Sequence, residues 1–413
     1  MDSAGRVRIY HGANFVMKGF PWYPSELLDK DFVANMERWG LNFVRLGMMW
    51  SGVEPQSHKY NQTYLDTMKQ IVELLKSHNI FVLLDMHQDV LSSRVQSYDG
   101  IPAWLYDQFP APAHAYPWPL QSAPPVGDWF FGYELINEPW AGNYIANPFL
   151  LLPGIAGSTN LQPLYDKLAK AIRSVDDKTL IFYEPVTWGV RLNGKYFGTG
   201  FTHVPGGDSY RDRSVLSYHY YCIVLSLDPV PGNGTIPTFE RVLCDDIEGP
   251  AVFESVRVDL LRLGGSAFLT EFGGCDDSPT CDEQLRWALE AADEFYQSWA
   301  YWGVVRNQKT TINRLARVYA RAMAGKPVFS MYVPERRYFY LSYYIDTTIK
   351  EPTEIFVPDV HFPKASYNVT LSDTLKWKVD PKNPNIILVE PSDQLLQSGE
   401  PIVMGTVEIN PKT

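Results

Sequence analysis

Two glutamates end apolar runs far apart in this chain of 413 residues, and each is followed by residues that stop a strand. Gly132-Tyr133-Glu134-Leu135-Ile136-Asn137-Glu138-Pro139-Trp140 opens like a buried strand and closes in Asn-Glu-Pro. Proline there forbids further ladder pairing and leaves Glu138 at the lip of a sheet. Ala267-Phe268-Leu269-Thr270-Glu271-Phe272-Gly273-Gly274 repeats the design and delivers Glu271 to a glycine-rich turn. Two carboxyl groups in such matching settings suggest a pair working on one bond. They can divide acid and anion roles only if their environments separate their pKa values, one raised to stay protonated and the other held ionised.

The elements that must carry this pair follow from hydrophobic patterning. From Arg8 to about Val305, short apolar runs alternate with helical patterns, the rhythm of parallel strands covered by helices. Strands are expected at Arg8 to Val16, Asn42 to Trp50, Ile80 to Met86, Gly132 to Asn137, Thr179 to Pro185, Val215 to Tyr221, Ala267 to Glu271 and Trp299 to Val305. Eight such strands make a (β/α)8 barrel, an α/β TIM-barrel fold of about 250 residues. Tyr64, Met68, Ile71, Val72 and Leu75 mark one covering helix, and Leu164, Leu168, Ala171, Ile172 and Val175 mark another, both at the 3.6-residue period. Between Asp89 and Trp129 no helical period occurs, and prolines crowd the stretch from Pro102 to Pro125. One barrel helix, between strands three and four, is therefore expected to be missing.

After the last barrel strand, Leu315, Val318, Tyr319 and Ala322 predict a helix ended by Gly325-Lys326-Pro327. Beyond it Thr353 to Val357, Thr374 to Val379, Ile386 to Val389 and Pro401 to Ile409 are short β-rich pieces punctuated by proline, asparagine and glycine, which reads as an antiparallel β-sandwich. The expected domains are a catalytic barrel over 1–325 and a C-terminal β-sandwich over 326–413.

A formal charge of −11 argues against a phosphate backbone as partner, since nucleic-acid binding draws on clustered lysine and arginine that the chain lacks. The aromatic content of 14% fits a surface that stacks on sugar rings or lipid. Cys222, Cys244, Cys275 and Cys281 lie in one stretch without metal-site spacing. They allow three pairings, of which Cys222 with Cys244 and Cys275 with Cys281 are the simplest. Glycosylation sequons stand at Asn61, Asn233 and Asn368, and with the cysteines they favour an oxidising route, secreted or lysosomal. No apolar signal segment follows Met1, so a leader is expected to have been lost from this sequence if that route holds. No apolar run reaches eighteen residues, so no transmembrane segment is expected.

In such a barrel the site lies at the C-terminal ends of the strands. Walking round that rim gives Asn14 and Lys18, then Arg45, then His87 and Asp89, then Asn137 and Glu138, His219 and Tyr221, Glu271, and Trp302. Hydrolysis of a glycosidic bond needs a proton donor for the leaving oxygen and a second carboxyl on the opposite face of the sugar. Asn137 could bond the sugar 2-hydroxyl, Tyr221 could hold Glu271 as the anion, and Trp302 could floor the sugar site. Arg45 lies inside a strand and must be paired, so it reads as support for a carboxylate. Glu184, another acid at a strand end, reads as a buried structural partner. No Gly-X-Ser-X-Gly elbow is present, so a serine hydrolase fits poorly. His87 and Asp89 lack a convincing third ligand, so neither metal nor other cofactor is expected.

These residues resemble glycoside hydrolase family 5, which shares the Asn-Glu-Pro, His-X-Tyr, Thr-Glu-Phe-Gly and strand-eight tryptophan in this order. Within it the chain is similar to the endoglycoceramidases, through Asn14 to Trp22, Val44 to Trp50 with Glu54-Pro55, Asp85 to Asp89, Gly132 to Asn143 and Phe268 to Gly274, and on through the C-terminal sandwich. The resemblance implies a retaining hydrolase with Glu138 as acid/base and Glu271 as nucleophile. It would cut glycosphingolipids between the reducing sugar and ceramide, with Lys18, His87, Asp89, Asn137, His219, Tyr221 and Trp302 lining the sugar site. A monomer making peripheral contact with membranes or micelles is expected. The alternatives are another β-glycosidase of the family, acting on glucosylceramide or a β-glucan, and a non-catalytic glycolipid-binding protein. Two departures stand out. Pro124 to Trp129 runs almost straight into strand four, where the family carries a helix, and Val304 to Lys309 passes quickly to the next helix, where it carries a longer loop.

Overall fold

The computed structural model describes residues 1–89, 92–94, 99–108, 134–186, 198–222, 241–274, 279–303 and 308–412. Among them, β1 (Val7–Arg8) precedes a parallel sheet of β2 (His11–Phe15), β3 (Phe43–Gly47), β4 (Phe81–Asp85), β5 (Ile181–Tyr183), β6 (Ser214–Tyr220), β7 (Ser266–Gly273) and β8 (Ser298–Trp302). Its order is β4-β3-β2-β8-β7-β6-β5. The two edges are joined by one residue, because Glu134 bridges Asp85 on one side and Phe182 on the other, both in parallel. The sheet thus curls into a closed ring whose fourth staff, expected at Gly132 to Asn137, is represented among the described residues by that bridge.

Side-chain alternation explains what fills the ring. Phe43, Leu83, Phe182, Val215, Phe268 and Ala300 form an apolar cluster with Tyr10. Two residues further along the strands, on the same side by the period of two, come Arg45, Asp85, Glu184 and Ser217. An apolar floor near the N-terminal ends therefore carries a polar layer toward the C-terminal ends. Register shifts between Tyr218 and His219 on one side of β7, and between Leu269 and Phe272 on the other, add a residue to β7 and re-aim Glu271.

The helix Gln62–Ser77 buries Tyr64, Met68, Ile71 and Leu75, the expected stripe, and Asn61 caps it by accepting the Tyr64 amide at 3.1 Å. The helix Gln162–Arg173 keeps part of its expected face, with Leu168 buried and Leu164 and Ile172 half-buried against the core. Tyr165 and Ala169 are buried beside them, while Ala171 and Val175, the latter past the helix end, are exposed. Between Asp89 and Trp129, where no helix was expected, Pro102 opens the single helical turn Ala103–Tyr106. The rest of that connection from 109 onward lies outside the described residues, as do the expected missing helix and most of the short passage from Val304 to Lys309.

The helix expected through Tyr319 and Ala322 is instead the strand β9 (Tyr319–Met323), and the helix Lys309–Leu315 ends before it. The β-branched Val318, the aromatic Tyr319 and the pairing available from β1 favour extended backbone over a helix at this point. The following strands are β10 (Gly325–Val333), β11 (Tyr338–Asp346), β12 (Thr353–Phe356), β13 (Tyr367–Leu371), β14 (Leu375–Val379), β15 (Ile386–Pro391) and β16 (Ile402–Pro411). They form antiparallel sheets of order β1-β9-β12-β15-β14 and β10-β11-β16-β13 around a core that includes Phe339, Leu341, Ile355, Ile387 and Val407. No described helix is long and apolar enough to cross a membrane.

Candidate active site

Arg45 is the hub of the polar layer. Wholly buried on β3, it donates from Nε to Glu134 Oε2 at 2.5 Å, and from Nη1 to Glu271 Oε1 at 2.5 Å and Asn14 Oδ1 at 3.0 Å. Its Nη2 donates to Asn137 Oδ1 at 2.8 Å and lies 3.1 Å from Asp85 Oδ2. A guanidinium with donors in a fixed fork suits this number of acceptors. Burial disfavours its charge, yet Asp85, Glu134 and Glu271 outweigh that and hold its pKa well above the ordinary value. Asn14 is anchored in turn by donating to the Thr270 and Ala300 carbonyls at 3.0 and 3.1 Å. Arg45, expected as support for a carboxylate, thus touches Asp85, Glu134 and Glu271.

Glu271 receives a second donor, the Tyr221 hydroxyl, 3.1 Å from Oε2. Tyr221 follows β6 directly, and the next residue, Cys222, is joined by a disulfide to Cys244 with a Cα separation of 5.4 Å. The Tyr220 hydroxyl donates to the Cys244 carbonyl at 3.0 Å, so this end of β6 is tied twice. The other expected pairing, Cys275 with Cys281, falls outside the described residues, as does Asn233. Asn368 is exposed on β13.

Glu138 sits just past Asn137 with φ of +45°, a left-handed conformation seldom adopted by residues other than glycine, asparagine and aspartate. Its amide donates to Glu184 Oε2 at 2.8 Å, and its Oε1 lies 2.9 Å from His219 Nδ1. That same nitrogen is 3.4 Å from both Glu184 Oε1 and Glu271 Oε2. One ligand-capable atom from each of Glu138, His219 and Glu271 lies within 4.8 Å of the others, so both carboxyl groups meet one imidazole. Carboxyl groups this close leave room for direct attack on a sugar carbon and too little for an interposed water.

The electrostatics depart from the simplest division of labour. Burial would raise the Glu138 pKa, but the hydrogen bond and charge of His219 lower it below the usual carboxyl range. His219 itself, which burial alone would make neutral, is pushed up to about 10 by Glu184, Glu271 and Glu138. The glutamates raised in this site are Glu184 and Glu134, both fully enclosed, where burial outweighs the nearby cations. The expected raised acid is therefore displaced from Glu138 in the free protein, because a cationic imidazole faces it directly.

Lys18, His87, Asp89 and Trp302 form the opposite wall. Asp89 pairs with Lys18 and lies 3.5 Å from His87 Nε2, while His87 Nδ1 lies 2.7 Å from Asp85 Oδ2. Burial opposes charge on His87, but Asp85 and Asp89 raise its pKa to about 10. The ring stacks at 5.5 Å on Trp302, over which Lys18 Nζ stands 5.1 Å from the ring centroid. Asn137 donates to the Gln88 carbonyl at 3.1 Å and accepts, through its own carbonyl, from the Gln88 side chain at 2.8 Å. All the residues expected at the rim thus meet in one network from Lys18 through Asp89, His87, Asp85 and Arg45 to Glu271, Tyr221, His219 and Glu138. Sequence reasoning passed over Asp85, Glu134 and Asp99. Asp85 and Glu134 had a signal, since an acid inside an apolar strand must find a buried partner. Asp99, which accepts the Asp89 amide at 2.9 Å, comes from a loop that carried none.

The family model for cellulase (glycosyl hydrolase family 5) matches residues 9–308. The chain belongs to glycosyl hydrolase family 5. A second family 5 model, for its C-terminal domain, matches residues 317–399. This family 5 chain is 32% identical to an endoglycoceramidase of Cyanea nozakii, over 92% of its own length and 86% of the relative's. It is 32% identical to an endoglycoceramidase of Hydra vulgaris as well, over 88% and 80%. Its fold is that of endo-glycoceramidase II from Rhodococcus sp. in complex with ganglioside GM3, with a TM-score of 0.76 at 21% identity, covering 100% of this chain and 99% of that one.

Proposed function

We propose that this family 5 chain is a retaining glycosidase that cleaves the bond between the oligosaccharide and the ceramide of glycosphingolipids, with Glu138 as acid/base and Glu271 as nucleophile. The observation that carries the mechanism is the clustering of both carboxyl groups on the His219 imidazole. The full-length relatives named endoglycoceramidase carry the substrate class. In the first step a Glu271 oxygen attacks the anomeric carbon while Glu138 protonates the departing ceramide oxygen, giving a glycosyl ester on Glu271. In the second, Glu138 takes a proton from water, whose oxygen replaces the ester, and oligosaccharide leaves with its anomeric configuration retained. Arg45 and Tyr221 orient Glu271, and Trp302 with Lys18, His87 and Asp89 offers a stacking face ringed by polar groups for the sugar. Asn137 stands beside Glu138 for the 2-hydroxyl.

Exposed Ile145, Phe149 and Leu152, in the segment that follows Glu138, support an apolar lip for ceramide and peripheral contact with a membrane or micelle. The Cys222–Cys244 disulfide supports a secreted or lysosomal setting. The test is incubation of the purified protein with a fluorescent ganglioside beside Glu271→Gln. Release of the intact oligosaccharide by the wild type alone is expected. Release of single glucose from glucosylceramide only, or binding of ganglioside with no turnover, would overturn the reading.

A further inference from the structure

Glu184 has no part in the chemistry described above, yet its carboxyl group is closed between the two parts of Glu138 that must be fixed. One oxygen accepts the Glu138 amide at 2.8 Å, and the other lies 3.4 Å from the His219 nitrogen that holds the Glu138 carboxyl. Glu184 is 2% exposed, and its own carbonyl accepts the Tyr165 hydroxyl at 2.6 Å from the helix outside the ring. We propose that Glu184 is a positioning residue for the acid/base, holding Glu138 in its left-handed turn and setting the His219 imidazole against it. This inference rests on the functional reading given above.

The need for such a group is physical. A non-glycine residue at φ of +45° lies in a sparsely populated region and persists only where surrounding contacts over-determine it. Proline at 139 cannot contribute an amide to that turn, so the Glu138 amide is a donor at the place where it must be held. Facing Glu184 are His219 on β6, Glu134 on the fourth staff, Glu138, and Arg45 on β3. Burial pushes Glu184 well above the carboxyl range against the pull of His219, so the uncharged amide of glutamine is a close stand-in.

The experiment compares Glu184→Gln and Glu184→Leu on two substrates, a ganglioside and an aryl lactoside whose phenolate leaves without protonation. Glutamine keeps the acceptor for the Glu138 amide, so kcat/KM on ganglioside should stay within about tenfold of wild type, a single hydrogen-bond's worth. Leucine should lower kcat/KM on ganglioside by about 100-fold, the usual contribution of a placed general acid, and leave the aryl lactoside near wild type. Equal losses on both substrates, or leucine active on ganglioside at the wild-type level, would overturn the proposal. Should leucine prevent folding, Glu184→Gln decides: a loss on ganglioside beyond about 100-fold, the range of a general acid, would also count against it. A wild type inert toward ganglioside is a separate result and refutes the functional reading itself.

Discussion

His219 Nδ1 stands 2.9 Å from a Glu138 oxygen and 3.4 Å from a Glu271 oxygen, so one cationic nitrogen contacts both carboxyl groups and holds them close together. The separation carries a stereochemical consequence. Carboxyl groups about 5 Å apart accompany double displacement, whereas those that hold a water between them stand about 6.5 Å or more apart. Proton NMR of a β-linked substrate during turnover should show the β-anomer of the released oligosaccharide first, with the α form appearing only by mutarotation. An initial α-anomer would exclude Glu271 as nucleophile.

The charge on His219 sets the pH dependence. Glu138 is held below the usual carboxyl range, so at neutral pH little of it carries the proton that the ceramide oxygen needs. As pH rises through the lowered Glu138 pKa, kcat/KM on a ganglioside should fall, approaching tenfold per unit, because it reports the free enzyme. An aryl lactoside with a good leaving group should not share this fall. A ganglioside profile that stays flat to pH 9 would contradict the placement of the acid.

Arg45 gives the strongest stability prediction. Replacing it with methionine leaves Asp85, Glu134 and Glu271 enclosed without their common cation, and breaking a buried ion pair on one side costs about 3–5 kcal/mol. Urea unfolding of Arg45→Met should therefore have a much lower midpoint, or the chain should fail to fold. A midpoint within experimental scatter of wild type would mean that the three acids find other partners.

Much of this network was legible before any coordinates. Arg45 was readable as a buried, paired residue because it interrupts an apolar strand, and Glu138 and Glu271 because proline and glycine stop their strands beside them. The displaced acid was not legible, since it depends on how close His219 comes to Glu138, and spacing along a chain gives no distance between β6 and the fourth staff. Glu184 was readable as buried, but its contact with the Glu138 amide requires the left-handed turn at 138. Tyr319 to Met323 misled because Tyr-Ala-Arg-Ala-Met is too short a run to separate a helical from a strand pattern. Pairing with β1, more than three hundred residues earlier, decided between them.

The disulfide closes a segment with a sequence separation of 22 residues immediately after Tyr221. Loop-closure entropy for a segment of that size amounts to about 3 kcal/mol. Cys222→Ser with Cys244→Ser should lower the unfolding free energy by about that amount and lower the kcat of any surviving activity more than it raises KM, since the Tyr221 hydroxyl that orients Glu271 loses its tether. Unchanged stability after reduction of the wild type would show that the bond does not constrain the unfolded chain.

The two raised histidines make stability depend on pH in the alkaline direction. His219 and His87 are both lifted to about 10 by facing carboxylates that outweigh burial, while the unfolded chain keeps them near 6.5. A group whose folded pKa is raised contributes stability that is complete below the unfolded value and is lost as pH climbs through the folded one. Urea midpoints should therefore fall progressively from about pH 6.5 to about pH 10. His219→Asn and His87→Asn should each be less stable than wild type at pH 6.5 and should each flatten part of that slope, which separates them from the lysines and tyrosines titrating in the same range. If both variants keep the wild-type slope, the imidazoles are not the protonated partners of these carboxylates.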